Sequence, residues 1–190
     1  MKSVSLHRFS VILAFAFAAA CFSANRAAAA TVATAAELDK DSRAALHRLY
    51  HASPKAQKLG AESEAVLVFP AIYKAGFIFG KQRGEGALLT RYKTLGYYVT
   101  SAGSFGPQIG VQRFGYALFF THKNGLSHLH DEGGWELAHT PNIVILNKGA
   151  AASFNTTQTK DDVYAMAFDQ TGIMASLELQ GSKITEIHPK

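Results

Sequence analysis

The run Val66-Leu67-Val68-Phe69-Pro70, followed by Gly76-Phe77-Ile78-Phe79-Gly80, Lys81-Gln82-Arg83-Gly84-Glu85 and Gly86-Ala87-Leu88-Leu89-Thr90, decides the fold class. Four apolar residues bounded by a proline are too few for a buried helix and read as a strand that Pro70 stops. The next two apolar segments flank five polar residues, which is the spacing of a β-hairpin with Lys81 to Glu85 as its turn. Glycine recurs every few residues from here on, and strands are expected at Tyr97 to Ser101, Gln108 to Gln112, Tyr116 to Thr121, Asn142 to Asn147, Val163 to Phe168 and Ile173 to Leu179. Gln108 to Gln112 alternates polar and apolar residues and should be wet on one face. Val163 to Phe168 is apolar on both faces and should be an interior strand. A short helix is expected from Lys123 to His130.

Upstream the texture is helical. Leu38, Ala45, Leu46, Leu49 and Tyr50 recur at three- and four-residue steps between Glu37 and Tyr50, with Lys40, Asp41, Arg43, His47 and Arg48 elsewhere around the wheel. Ser53-Pro54 supplies a cap and a first-turn proline for a second helix reaching about Glu64. Helices followed by many closely spaced strands predict an α+β fold: an N-terminal helical hairpin, then a mostly antiparallel, glycine-rich β-sheet domain. An eight-stranded outer-membrane barrel is the structural alternative, but the helices and the polar end His188-Pro189-Lys190 count against it.

Residues 1 to 30 stand apart from this pattern. They hold Lys2, Arg8 and Arg26, no acid, an apolar run from Phe9 to Phe22 broken only by Ser10, and the cluster Ala27 to Ala30. A basic start, an apolar run of about 14 residues and small residues beyond it describe a secretory signal peptide, and the run is short for a membrane span. Two processing routes are open. Ala18-Ala19-Ala20-Cys21 loosely resembles a lipobox, in which Cys21 would be lipidated, while cleavage after Ala29 or Ala30 would leave residues 31–190 as one domain. Cys21 is the single cysteine, so that domain has no intramolecular disulfide and its core must hold itself.

The 190 residues carry 19 Lys and Arg against 14 Asp and Glu, a net charge of +5. Nucleic-acid binding is the first idea such a balance raises. Three of those bases lie in the leader, however, and the remaining chain carries only +2. That remainder is polarised, at +5 over residues 31–113 and −3 beyond them. Lys74, Lys81, Arg83, Arg91 and Lys93 fall within twenty residues, offset there by Glu85 alone. At about 1 kcal/mol per base near an anionic bilayer, a net four contributes roughly 4 kcal/mol, which is only millimolar affinity. Useful membrane binding would need an inserted apolar element, a headgroup pocket or the lipid on Cys21 as well.

Catalytic motifs fit poorly. Ser104 in Gly103-Ser104-Phe105-Gly106 lacks the glycine two residues before it that a nucleophile elbow needs, and it reads as a turn serine. The glycines from Gly76 to Gly86 lack the Lys-Ser/Thr ending of a phosphate loop. His128-Leu129-His130-Asp131-Glu132 offers possible ligands, but its two histidines share a face only on an extended segment and no second cluster completes a metal site. Asp161-Asp162 precedes a strand, where solvated acids are common. No catalytic, metal or cofactor site is therefore expected.

Several of these segments, taken together, are similar to one family. Ala65-Val66-Leu67-Val68-Phe69-Pro70-Ala71-Ile72-Tyr73-Lys74-Ala75-Gly76-Phe77 resembles the opening motif of the SYLF domain, also called the Ysc84 actin-binding domain. Gly84-Glu85-Gly86-Ala87-Leu88, Tyr97-Tyr98, Gly103-Ser104-Phe105-Gly106 and Gln108-Ile109-Gly110-Val111-Gln112 resemble its glycine-rich centre. Gly134-Trp135-Glu136-Leu137, Lys160-Asp161-Asp162-Val163-Tyr164, Gly172-Ile173-Met174-Ala175 and Leu179-Gln180-Gly181-Ser182-Lys183-Ile184 resemble the exported bacterial branch. The chain departs from the pattern at Pro107 and at Ala138-His139-Thr140-Pro141. The resemblance implies non-enzymatic binding of acidic phospholipids, with actin association confined to eukaryotic relatives. The expectation is thus an exported periplasmic or envelope protein that meets anionic phospholipid or a membrane surface through Lys74, Lys81, Arg83, Arg91 and Lys93, with no nucleic-acid partner. A protein-interaction module of the envelope is the alternative, and a hydrolase using Ser104 stands behind both.

Overall fold

The computed structural model describes residues 33–76, 79–105, 110–137, 143–146, 161–172 and 182–190. The expected signal peptide with Cys21, the expected strand from Ile173 to Leu179, the start of the one from Gln108, and Pro107 lie outside those residues. The compact unit runs from Ala33 to Lys190.

Helix α1 (Ala35–Ala52) begins in a capping box: the Glu37 amide donates to Thr34 Oγ1 at 3.3 Å, and the Thr34 amide donates to Glu37 Oε2 at 2.9 Å. Helix α2 (Pro54–Glu62) starts where Ser53 Oγ accepts from the Ala56 amide, with proline at the first position. Both helices bury one stripe. Leu38, Ser42, Ala45 and Leu49 of α1 and Ala56 and Leu59 of α2 are enclosed, and full burial of each leucine contributes about 1.5–3 kcal/mol.

The remainder is an α+β arrangement dominated by one sheet. Its strands are β1 (Ala65–Gly76), β2 (Phe79–Leu89), β3 (Thr94–Phe105), β4 (Gly110–Phe120), β5 (Trp135–Glu136), β6 (Ile143–Leu146), β7 (Val163–Gly172) and β8 (Lys183–Ile187), in the order β5-β8-β3-β2-β1-β4-β7-β6. Among the described residues every pairing is antiparallel except β6 with β7. Between β4 and β5 lie α3 (Lys123–Ser127) and a 3₁₀ turn (His128–His130). As expected, β7 is an interior strand, flanked by β4 and β6.

Three local expectations are corrected. Pro70 does not stop a strand: β1 continues to Gly76, with register shifts on both sides of the proline. Proline has no N–H for the ladder, and a bulge is where a strand tolerates that loss. Phe69 and Pro70 together oppose Gly86 of β2, where an added Cβ would run into the Val68 carbonyl and sit 2.9 Å from the Phe69 Cα. Likewise Lys81 to Glu85 is not a turn. It forms the first half of β2, paired to Ala71–Ala75 of β1 and Val99–Gly103 of β3. Ser104 is also a strand residue, opposite Gly80.

The irregularities continue in a line across the sheet. Gly115 of β4 faces the β1 bulge, and β4 shifts register against β7 between Arg113 and Gly115, where Asp169 takes a φ of 50°. Aspartate is among the few residues that adopt this left-handed conformation readily. A line of bulges bends a sheet, and this sheet curls until Phe120 of β4 meets Trp135 of the edge strand β5, ring centroids 5.9 Å apart.

The curl makes two cores. Inside it pack Leu67, Phe69, Ile72, Phe114, Tyr116 and Trp135, with Leu126 and Leu129 closing the end near Phe120. On the outside Val66, Val68, Ala87, Leu89, Phe119 and Met166 pack against α1 and α2. Helix α1 is fastened along the bulge line at two points. Ser42 Oγ donates to the Val68 carbonyl at 3.2 Å, and Arg48 Nε stands 3.0 Å from Asp169 Oδ2. The helices therefore cover only the half of the outer face on their side of the bulges.

Candidate membrane-binding face

The uncovered half of the outer face is built by strand register. Lys183 of β8 pairs with Ser101 of β3, Ser101 with Arg83 of β2, Arg83 with Tyr73 of β1, and Tyr73 with Arg113 of β4. Adjacent strands lie about 4.8 Å apart, so the row from Lys183 to Arg113 spans about 19 Å. Two residues further along each strand, Lys81 pairs with Ala75 and Ala75 with Val111. Phe79 lies beyond Lys81 at the start of β2.

This surface is cationic and also apolar. Tyr73, Phe79 and Val111 are 57%, 74% and 64% exposed, and Lys81, Arg83 and Lys183 are exposed beside them. The Arg113 guanidinium carbon lies 6.0 Å from the centroid of the Tyr73 ring, within cation–π range. Two acids reduce the charge. Glu85 Oε1 is 2.9 Å from Arg83 Nη2, and Glu136 is the register partner of Lys183. The Arg83–Glu85 pair is open to solvent, where such contacts contribute at most about 1 kcal/mol.

The five expected headgroup residues separate into three places. Lys81 and Arg83 are on this face. Lys74 is not: its side chain points to the interior of the curl and is 2% exposed. Arg91 and Lys93 belong to the β2–β3 turn at the other end of the hairpin, about 20 Å of strand beyond Arg83. There the Lys93 carbonyl accepts from the Thr90 amide at 2.8 Å, and Arg91 helps line a cavity of about 480 Å³ with Arg43, His47, Tyr50, Glu64 and Leu89. Burial pushes the Tyr50 phenol up to about 12.

Arg113, Lys183 and the aromatic partners are the residues that sequence reasoning missed. The strand expected to be wet on one face ended at Gln112, with its polar residues on that face; instead Gln112 is buried and Val111 is exposed, so Arg113, two residues beyond Val111, joins the outer face. His128, weighed as a metal ligand, stacks on Trp135 with centroids 5.7 Å apart and planes at 12°. Among the described residues no helix is long and apolar enough to cross a membrane. No protein-family model and no curated protein matches the chain.

Proposed function

We propose that this is a non-enzymatic lipid-binding protein of the cell envelope, which meets anionic phospholipid headgroups through the helix-free half of its outer sheet face. The observation that carries the reading is the single row Lys183–Ser101–Arg83–Tyr73–Arg113, in which cations flank an exposed aromatic ring. Lys81, Arg83, Arg113 and Lys183, offset by Glu85 and Glu136, leave a net two charges and contribute about 2 kcal/mol near an anionic surface. Burying Phe79 and Tyr73 in the interface would add about 1.5–3 kcal/mol each. The sum corresponds to dissociation constants between about 200 μM and 1 μM.

The SYLF resemblance, an N-terminal helical hairpin on a glycine-rich sheet, supports the same reading, with residues 31–190 as a single domain of that type. The expected signal peptide at residues 1–30 supports export to the periplasm or envelope. Intact mass of the native protein distinguishes a lipidated Cys21 from a chain starting near Thr31.

Flotation with phosphatidylglycerol and phosphatidylcholine vesicles at low and high salt tests the function. Binding to the anionic vesicles, weakened by salt, is expected. Equal binding to both, or to neither, overturns it. Specific capture of an envelope protein without lipid would favour an interaction module instead.

A further inference from the structure

Behind the membrane-facing residues, on the interior face of the same strands, stands a second row. Gln82 of β2, Lys74 of β1 and Gln112 of β4 are successive register partners and are 5%, 2% and 4% exposed. The bulge at Pro70 puts Lys74 there: it shifts the alternation of β1 by one residue, so that Ile72 and Lys74 follow Phe69 inward. Gln82 Nε2 donates to Ser182 Oγ at 2.9 Å, which ties one end of the row to the residue before β8. Buried Thr100 lies one layer deeper.

The rest of the row is unsatisfied. Among the described residues Lys74 Nζ and Gln112 Oε1 have no hydrogen-bond partner, and the Tyr116 hydroxyl, further along the same face of β4, has none either. An ammonium group buried without an acceptor carries a desolvation penalty. The residues flanking Lys74 in register are carboxamides, with no negative charge to offset it. Gln112 Oε1 has the opposite need, for a donor.

A group that both accepts and donates meets both needs. We propose that Lys74, Gln82 and Gln112 form an internal site for a proton-carrying phosphoryl group, as inorganic phosphate or as a phosphomonoester headgroup. Its charged oxygens accept from Lys74 Nζ, and its remaining P–OH donates to Gln112 Oε1. A phosphomonoester with a second pKa near 6 holds that proton in a large fraction of molecules at pH 6. Sulfate and carboxylates supply the charge but no donor. The site is on the opposite face from the membrane-binding row and stands independently of the lipid reading.

Thermal unfolding of the purified full chain at pH 6 tests this, with inorganic phosphate, sulfate and acetate at equal ionic strength. Phosphate at 100 times its dissociation constant multiplies the folded-to-unfolded ratio by about 100 and raises the midpoint; sulfate and acetate should do much less. Lys74→Met should melt higher than the wild type without phosphate, because a buried charge is gone, and should no longer respond to it. Gln112→Glu places a carboxylate opposite Lys74 and should behave the same way. No phosphate shift in the wild type, an undiminished shift in Lys74→Met, or an equal shift with sulfate overturns the proposal. Soluble dihexanoyl phosphatidic acid separates the sources: a response to it as well as to phosphate assigns a headgroup, and a response to phosphate alone assigns the free ion. Arg113→Glu should keep the phosphate response while losing vesicle binding, so the two readings fail separately.

Discussion

The guanidinium carbon of Arg113 stands 6.0 Å from the centroid of the Tyr73 ring, and Tyr73 has Arg83 as its register partner on the opposite side. The three side chains belong to three strands and share one face of the sheet. A tyrosine between two guanidinium groups can enter the headgroup layer while the cations engage phosphates around it. On the proposed reading Arg113 and Arg83 serve the same surface although they are thirty residues apart in sequence.

Charge reversal at either arginine should therefore weaken binding to phosphatidylglycerol vesicles similarly. Each reversal changes the charge by two, about 2 kcal/mol or some thirty-fold in affinity. Arg91→Glu, at the far end of the β2–β3 hairpin, should leave binding nearly unchanged. Flotation of the three variants, with circular dichroism to confirm folding, checks this; a larger loss from Arg91→Glu than from Arg113→Glu would move the interface to the cavity end of the molecule.

Salt separates the apolar contribution from the charged one. At 1 M salt the Debye length is about 3 Å and the cationic contribution is largely screened. Residual binding should then depend on Phe79 and Tyr73, and Phe79→Ser should weaken it by about 1.5–3 kcal/mol, while at low salt the same variant should retain more of its binding through the cations. Binding that vanishes with salt in the wild type would show that no apolar side chain inserts.

Two glycines predict opposite stability effects. Gly86 faces the β1 bulge, and an added Cβ would collide with the Val68 carbonyl, which is backbone and cannot step aside. Gly86→Ala should cost several kcal/mol, on the order of 3, as expected for overpacking of a core with backbone movement. Gly103 in β3 has nothing within 4 Å of an added Cβ. Gly103→Ala should be neutral or stabilise by about 0.5–1 kcal/mol, because the glycine loses more freedom on folding. Urea unfolding of both variants measures the contrast.

These positions also show where sequence reading succeeded. The cap at Ser53 is local chemistry and was legible from Ser53-Pro54, whereas the equally local capping box of Thr34 and Glu37 was not read. The interior place of β7 followed from its two apolar faces. Pro70 was misread because the bulge that accommodates it depends on Gly86 and Gly115, which come from other strands. Once the bulge is missed, the alternation of β1 is wrong beyond it, and Lys74 goes to the same side as the exposed cations. Lys81 to Glu85 resembled a turn because both of its faces are polar: Lys81 and Arg83 meet solvent, while Gln82 pairs with Ser182, a hundred positions away. The candidate face joins residues from Tyr73 to Lys183 and exists only through register.

The junction of α1 with β3 predicts an acid-sensitive step. Asp39 accepts from the Thr94 hydroxyl and lies 3.0 Å from Arg43 Nε, while Arg43 Nη2 donates to the same Thr94 hydroxyl at 3.1 Å. The Thr94 hydrogen bond, followed by Arg43, holds the Asp39 carboxyl below its ordinary value of 3.8. A carboxyl lowered in the folded state contributes stability above its unfolded value and loses it as pH falls through the folded value. Thr94→Val removes the principal cause of the shift, so the variant should be less stable than the wild type at pH 7 and the difference should shrink as the pH drops below about 3.8. Urea midpoints at several pH values between 7 and 2 measure it. A difference that stays constant across that range would show that Thr94 acts through packing and not through the Asp39 carboxylate.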